Sequence, residues 1–542
     1  MGKLKVLLMA VYTESMQRNA EEIGICSIAS YLEQNGYEVK LADVKTKEID
    51  SSIFEYEPNI LGIPVYTPNK DKVYWICNLF REKFPNIYIV VGGIVPTFGP
   101  VDILEEAPFI DFVIRGEGET VMLDLVSHLE GQVDLKDIKG LTYRNNNCII
   151  TNENQEPIKE LNTLPFPSRK LLEINKYKVA TISTSRGCIG RCSFCCSGSF
   201  WGKWRGRTPA NIVEEIEHII DKFNVNVFSI IDNSFEDPGF NVGRMTGIAE
   251  EILKKNLKIS YYINVRVEFY RKSSKELINL LKESGLTLVF IGIESGNDDD
   301  LDLYKKNNRV EDNCKSIEFF RENGFYVSIG FINFNPYSTL EKLHKNIDFL
   351  EKYDFASHFL YILNYSVLFP NTSLYEKVKN DSLYIGGNDD LINYNFVDSR
   401  IKPLLKFIND YFNLSNTEIY NFIQRVSFLL DNYLLIIEVY KLRFAEAKYN
   451  NAYKILIEHI NEIVPQINIA KKELNRNNAK WFRELLDLAE RQWDENTAYQ
   501  IIEDNLHKED ISALIKTIEN KIYKFNYKIS KLGPEYTGFL YL

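Results

Sequence analysis

Four of the chain's eight cysteines fall within nine residues, in the run TSRGCIGRCSFCC at 184–196. Cys188, Cys192 and Cys195 are separated by three and two intervening residues. Thiolates at that spacing on one loop can wrap one face of a cubane iron–sulfur cluster and leave one iron without a protein ligand. A structural zinc site asks for four ligands, typically in pairs. No second Cys-x-x-Cys exists, and His128, His218, His344, His358, His459 and His507 all lie outside the loop. The chemistry indicated is that of a [4Fe–4S] cluster with one open corner, held by Cys188, Cys192 and Cys195. Cys196 is read as a small apolar filler that points away from the cluster. Cys26, Cys77, Cys148 and Cys314 are scattered, which does not suit a disulfide framework.

The elements that must position this loop come in two alternating series. The first has apolar strands at 5–12, 38–44, 59–66, 87–91 and 111–114, with helical spacing at 23–35, 45–56, 71–84 and 120–129. Near-continuous apolar strands joined by helices predict a parallel sheet covered on both faces, a Rossmann-like, flavodoxin-like unit over 1–140. Ligands of such sheets sit at the carboxyl ends of the strands. Here those ends carry Tyr66, Thr67, Gly92, Gly93, Gly116 and Glu117. Residues 141–174 read as a hairpin and a proline-marked linker. The second series, 175–380, has strands at 178–183, 226–231, 259–267, 287–293, 326–333 and 358–367, with helices at 210–223, 242–256, 275–284, 310–323 and 339–353. Six strands predict a partial (β/α)6 barrel of the TIM type. Residues 381–542 read as a helical C-terminal region, either a scaffold or a lid. The class is α/β with that helical addition.

With 542 residues, several packed units are needed. A net charge of −11 does not predict a polyanion-binding face, so no nucleic acid is expected. The loop SFWGKWRGR at 199–207 is basic and aromatic, but a cover over the cluster explains it. The apolar start runs into Thr13, Glu14 and Ser15 without a small-residue cleavage site. The stretch 426–440 is broken by Asp431, Asn432 and Glu438, so no membrane span is expected. A cytoplasmic location follows as an expectation.

The cysteine run, placed after one strand and before the first helix of the second series, resembles the signature of the radical S-adenosylmethionine superfamily. In that family the open iron chelates S-adenosylmethionine, and reduction releases a 5′-deoxyadenosyl radical. The resemblance implies Cys188, Cys192 and Cys195 as the catalytic cluster ligands, with Phe194 near adenine. It implies Asp232 and Asn233 near the methionine amino group, Arg266 near the ribose or carboxylate, and Glu294 and Ser295 of IGIESG near the nucleotide. Segments 330–332, with Pro336 and Thr339, and 369–375 match later parts of one large subgroup; Asn371 stands where glycine is usual.

The first unit is similar to the cobalamin-binding domain that precedes many of these enzymes, through Gly24, Ser27, Ser30, Leu32, GYEVKLADV, IPVYTPN, VVGGIVPTFGP and FVIRGEGET. This implies cobalamin contacts at Tyr66, Thr67, Gly92, Gly93, Gly116 and Glu117, where glycine lets backbone approach a flat corrin. The DxHxxG motif of cobalamin mutases is missing, so no histidine lower ligand is implied. Cys26 and Cys77 do not supply the extra cluster of methylthiotransferases.

The resemblance therefore implies a [4Fe–4S] cluster, S-adenosylmethionine and cobalamin as cofactors. The activity implied is C-methylation at an unactivated carbon of a small-molecule or peptide substrate, of natural-product type. A reductase such as flavodoxin or ferredoxin would serve it. The alternatives are cyclisation or rearrangement without methyl transfer, a cobalamin-independent radical enzyme, and a non-enzymatic electron-transfer or sensing protein.

Overall fold

The computed structural model describes the chain except for residues 1–3, 14–20, 46–48, 147, 176–178, 387–391, 413–416, 428, 431–432, 445–448, 507 and 534–542. The start of the expected strand at 178, part of the expected helix at 45–56, and His507 lie outside the described residues.

The first sheet contains β1 (Lys5–Val11), β2 (Glu38–Val44), β3 (Ile60–Pro64), β4 (Tyr88–Gly92) and β5 (Phe112–Ile114), all parallel, followed by β6 (Leu141–Asn145) and β7 (Cys148–Thr151). Its order is β2-β1-β3-β4-β5-β6-β7. Along β1, Val6, Leu8 and Ala10 enter one core while Leu7, Met9 and Val11 enter another, on the opposite face. A strand buried on both sides must be apolar throughout, which is why its sequence reads as a run without alternation. Each of these side chains larger than Ala10 stabilises the fold by roughly 1.5–3 kcal/mol through burial. The hairpin β6–β7 was expected as part of the connection between units. It instead completes this sheet, antiparallel to β5, with Tyr143 opposite Phe112.

The second sheet contains β8 (Ala180–Ile182), β11 (Val227–Ile230), β12 (Ser260–Arg266), β13 (Leu286–Glu294) and β14 (Tyr326–Phe331), all parallel. Between the first two lie β9 (Ser185–Arg186) and β10 (Arg205–Gly206), a two-residue antiparallel pair that closes the neck of the cysteine loop. Helices Pro209–Phe223, Gly243–Lys254, Lys275–Glu283, Val310–Glu322 and Leu340–Lys352 form the crossovers. Gly285 turns the chain into β13 at φ +109°, and a Cβ there would stand 2.1 Å from the Ile259 carbonyl oxygen, so only glycine fits.

The sixth strand expected at 358–367 is largely a helical turn, Phe359–Leu363. Phe359 and Ile362 are buried while Leu360 is 58% exposed, a helical spacing that overrides the apolar look of the run. Strand pairing survives only as a bridge between Tyr365 and Phe334.

The C-terminal helices pack against the second unit. Helix Asn450–Arg491 packs on Leu340–Lys352. There Asn475 and Asn478 donate to the Glu351 and Ala356 carbonyls at 2.8 and 2.9 Å, and Arg483 pairs with Asp348. Helix Tyr433–Phe444, apolar on nearly every side, lies against β12 and β13.

Candidate active site

The cysteine loop leaves β9 at Arg186 and returns at β10. Cys188, Cys192 and Cys195 are half-buried free thiols. The Gly190 amide donates to Cys188 Sγ at 3.3 Å, and the Cys195 amide closes a turn on the Cys192 carbonyl at 3.2 Å. Ser193 anchors the loop's far side, its amide and hydroxyl donating to the Tyr304 and Leu303 carbonyls at 2.9 and 2.6 Å. Phe194 meets Tyr304 edge to face at 5.2 Å between ring centroids.

Two buried cations approach the loop. Arg266 Nη1 lies 4.0 Å from Cys192 Sγ, and its Nη2 pairs with Glu268 at 2.7 Å. Lys306, only 3% exposed, lies 3.4 Å from Glu294. Burial pushes the Cys188 and Cys192 thiols up; the Gly190 amide and Arg266 pull against it at Cys188, and Lys306 and Arg266 do so at Cys192. Glu294 sits at φ +69° beside a register shift in β13–β14, which turns its side chain toward Lys306. These residues fit an iron–sulfur cluster: three soft donors on one loop, amide N–H nearby, and cations to balance thiolate charge. Among the described residues no three ligands gather on one single ion. A cubane does not ask for that, because each thiolate binds its own iron.

The other residues implied for the sulfonium cofactor divide. Asn233 is exposed to the large cavity described below. Asp232 is buried and turned elsewhere: one oxygen accepts from the Thr184 and Ser185 amides at 2.7 and 3.0 Å, the other from both their hydroxyls. It braces the turn that leads into the cysteine loop. Ser295 is fully buried in a polar knot with Asn297, Asp300 and Asn346 and does not face the loop. Lys306 escaped sequence reasoning, because nothing in YKKNN marks one lysine as buried.

The carboxyl ends of both parallel sheets open onto one cavity of about 720 Å³. From the first sheet Tyr66, Gly92, Gly93, Gly116 and Glu117 line it, as do Gly24 and Gly62; Thr67 is exposed and lies outside it. Tyr66 donates to Glu22 at 2.8 Å. Gly116, at φ +78°, has nothing within 4 Å of where a Cβ would stand. A glycine-walled, largely apolar hollow at a topological switch fits a broad flat cofactor such as a corrin. From the second sheet come Thr181, Ser183, Ser229, Ile231 and Tyr262, with Phe200 and Trp201 from the loop. Cys196 also lines this cavity, 7% exposed, its thiol pushed up to about 11, first by burial and then by Cys195.

Where the two sheets meet, charge is arranged in two quartets that the sequence did not disclose. Arg169 pairs with Glu21 and Glu215, and Arg207 closes on Glu215 at 2.5 Å. Arg186 pairs with Glu117 and Glu119 at 2.5 Å each, and Arg205 reaches Glu117 at 2.8 Å. Glu117 also accepts from the Ile158 amide at 2.7 Å, so its carboxylate is used by the protein although the residue borders the cavity. Arg205 and Arg207 of the basic loop are thus turned inward; Lys203 alone of its cations is exposed.

Comparison with known proteins agrees with this division. The B12 binding domain family matches residues 9–126, and the Radical SAM superfamily matches residues 182–350. The chain is 29% identical over 398 residues to the anaerobic magnesium-protoporphyrin IX monomethyl ester cyclase of Rubrivivax gelatinosus, covering 70% of this chain and 69% of that one. It is 28% identical over 370 residues to an uncharacterized methyltransferase of Pyrococcus horikoshii, 65% of this chain and 79% of that one. The solved structure of the cobalamin-dependent S-adenosylmethionine radical enzyme OxsB, with aqua-cobalamin and S-adenosylmethionine bound, superposes with a TM-score of 0.67 at 19% identity. That match covers 99% of this chain and 82% of OxsB. At such identity the likeness is one of fold.

Proposed function

Because the chain belongs to the cobalamin-dependent radical S-adenosylmethionine enzymes, we propose that it is a C-methyltransferase acting on an unactivated carbon of a small-molecule or peptide substrate. When bound, the cluster with S-adenosylmethionine would supply a hydrogen-abstracting radical, and cobalamin would supply the methyl group. The observation that carries the reading is the shared cavity, because a methyl donor on the first sheet and a radical source on the second can then address one carbon.

The chain's own residues do the rest. Cys188, Cys192 and Cys195 would hold the cluster, with Arg266 and Lys306 offsetting thiolate charge and Glu294 holding Lys306 in place. Asn233 reaches the cavity and offers an amide to the sulfonium cofactor. Tyr66, Gly92, Gly93 and Gly116 shape the corrin side. Ile231, Phe200, Trp201 and Tyr262 exclude water from the reacting carbon. On this reading residues 1–140, extended by the hairpin to 151, form the cobalamin unit. Residues 175–380 form the radical unit and 381–542 its helical support. A small electron-transfer protein of the flavodoxin or ferredoxin kind supplies the electron. Among the described residues no helix is long and apolar enough to cross a membrane.

The likeness to the Rubrivivax cyclase supports a second reading, ring closure without methyl transfer. Product mass separates them, since only methylation adds a carbon. The first test needs no substrate. Anaerobically reconstituted protein is expected to show corrin absorption and, on reduction, to cleave S-adenosylmethionine to 5′-deoxyadenosine. Alanine at Cys188, Cys192 or Cys195 removes the cluster and the cleavage, while Cys196→Ala keeps both. A fully loaded cluster that never cleaves the cofactor would refute the proposal.

A further inference from the structure

Both ends of the cysteine loop grip the same carboxylate. Arg186, two residues before Cys188, donates to Glu117 at 2.5 Å, and Arg205, on the paired return strand, donates to the other oxygen of Glu117 at 2.8 Å. Arg186 also reaches Glu119 at 2.5 Å, and Glu119 is held from its own side by the Ser27 hydroxyl at 2.7 Å. Glu117 immediately follows Gly116, and Glu119 lies in the first turn of helix Gly118–Leu129; all three border the cavity. The side chains are 12% exposed at Arg186, 3% at Glu117 and 5% at Glu119, so water does not screen the pairs. Trp201 covers the guanidinium, 5.5 Å from ring centroid to Cζ.

A planar guanidinium can bridge two carboxylates with separate N–H groups, which a lysine ammonium does not reproduce. The geometry points to Arg186 as a positioning residue that fixes the cysteine loop against the cavity wall of the first sheet. It thereby sets the separation between the groups the two units carry. A misplacement of about 1 Å between reacting partners can cost on the order of a hundredfold in rate. A lock at the loop's neck is therefore where that distance is defended. The second readout below rests on the cobalamin reading; the first does not.

The test uses the full-length holoenzyme and three variants. Arg186→Gln leaves Glu119 without its cation, so Arg186→Gln combined with Glu119→Gln is the decisive variant, because the Glu117–Arg205 pair remains and no buried carboxylate is stranded. Hydrogen–deuterium exchange is read at amides 115–120, 184–187 and 205–207, with helix Asn450–Arg491 as reference. The double variant is expected to keep wild-type iron content and reference protection, while the three segments exchange roughly tenfold faster or more. Pulsed EPR between cob(II)alamin and the reduced cluster is expected to give one narrow distance in wild type and a broadened distribution in the double variant. Arg186→Lys restores charge without the bridge; it should regain thermal stability but not the narrow distance, a split that a merely structural residue would not give. Wild-type exchange and a single narrow distance in an iron-replete double variant would overturn the proposal. Absence of cob(II)alamin from wild-type protein would count against the functional reading, and the exchange data would still decide the clamp.

Discussion

Asp232 lies at the end of β11, where a ligand to the sulfonium cofactor is expected, yet its carboxylate is consumed by the turn at Thr184 and Ser185. The substitution Asp232→Asn separates these roles. An amide retains one acceptor oxygen, which can keep the two backbone N–H groups. It places an NH2 where the hydroxyls of Thr184 and Ser185 now donate. The Ser185 hydroxyl can rotate to accept. Thr184 Oγ1 already accepts from Arg244 at 2.7 Å, so its own proton loses its partner. Two buried donors forfeit their acceptor, and two amides lose the charge on theirs. At about 1–1.5 kcal/mol per hydrogen bond, and more where one partner is charged, the loss is about 3 kcal/mol. For a domain of 150–250 residues this lowers Tm by roughly 6–12 °C.

The assay is a melt of anaerobically reconstituted protein with and without S-adenosylmethionine, alongside iron content and cofactor affinity. A brace predicts lower Tm and lower iron content already in the absence of the cofactor, because the turn delivers the cysteine loop. A ligand predicts an unchanged melt and weaker binding alone. Wild-type Tm and iron content in Asp232→Asn, with only the affinity reduced, would refute the reasoning.

Two further outcomes are expected. Burial pushes the Glu236 carboxyl from 4.5 up to about 7, opposed by the Ser234 hydroxyl and the Arg266 amide. Between those values the folded state holds a proton that the unfolded state has lost, so stability falls as pH rises through the window, by about 3 kcal/mol in all. Glu236→Gln removes that slope, and urea denaturation at pH 5 and pH 8 measures it; equal slopes in both proteins would count against the assignment. Gly116→Val forces a β-branched residue to φ +78° on the cavity wall and should weaken cobalamin binding by about tenfold or more. Gly131→Val, at φ +82° on the surface and remote from the cavity, carries the same strain and should leave that binding unchanged.

Much of this architecture was legible because parallel sheets write their burial into unbroken apolar strands. β1, β3 and β13 could be placed nearly to the residue for that reason. The cysteine spacing was legible because cluster ligation is local in sequence. The sixth strand failed because a short apolar run fixes burial but not period, and Phe359 and Ile362 settle it as a helical turn. The ion pairs failed for another reason. Glu117 and Arg186 are 69 residues apart, and Asp232 and Thr184 are 48 apart. A strand-end acid is visible in sequence; which donors the fold brings to it is not. That one gap accounts for Glu117 and Asp232, both expected at a cofactor and both found bonded to protein.

The same accounting explains what kind of surface the cavity offers. Among its described lining residues, Glu21 and Arg207 belong to the quartet with Arg169 and Glu215, and Glu117, Glu119 and Arg186 to the quartet with Arg205. Each quartet has two cations and two anions and sums to zero. Burial would push the Glu119 carboxyl up, but Arg186 and Ser27 hold it below the usual carboxylate range. Its folded pKa being depressed, that contribution is complete above the unfolded carboxylate pKa and fades as pH falls through the folded value. At neutral pH Glu119 therefore stays charged against Arg186, and the ion pairs of each quartet direct their fields at each other across the junction between the sheets. Outside the quartets the hollow meets Glu22, whose carboxylate accepts from Tyr66, the Asn233 amide, backbone at Gly116 and Gly92, and side chains such as Ile114, Met122, Ile231 and Trp201. Such walls give little help to a transition state that builds up charge. They suit hydrogen-atom abstraction from a carbon, in which little charge moves and the protein's task is to hold the partners close and keep water out.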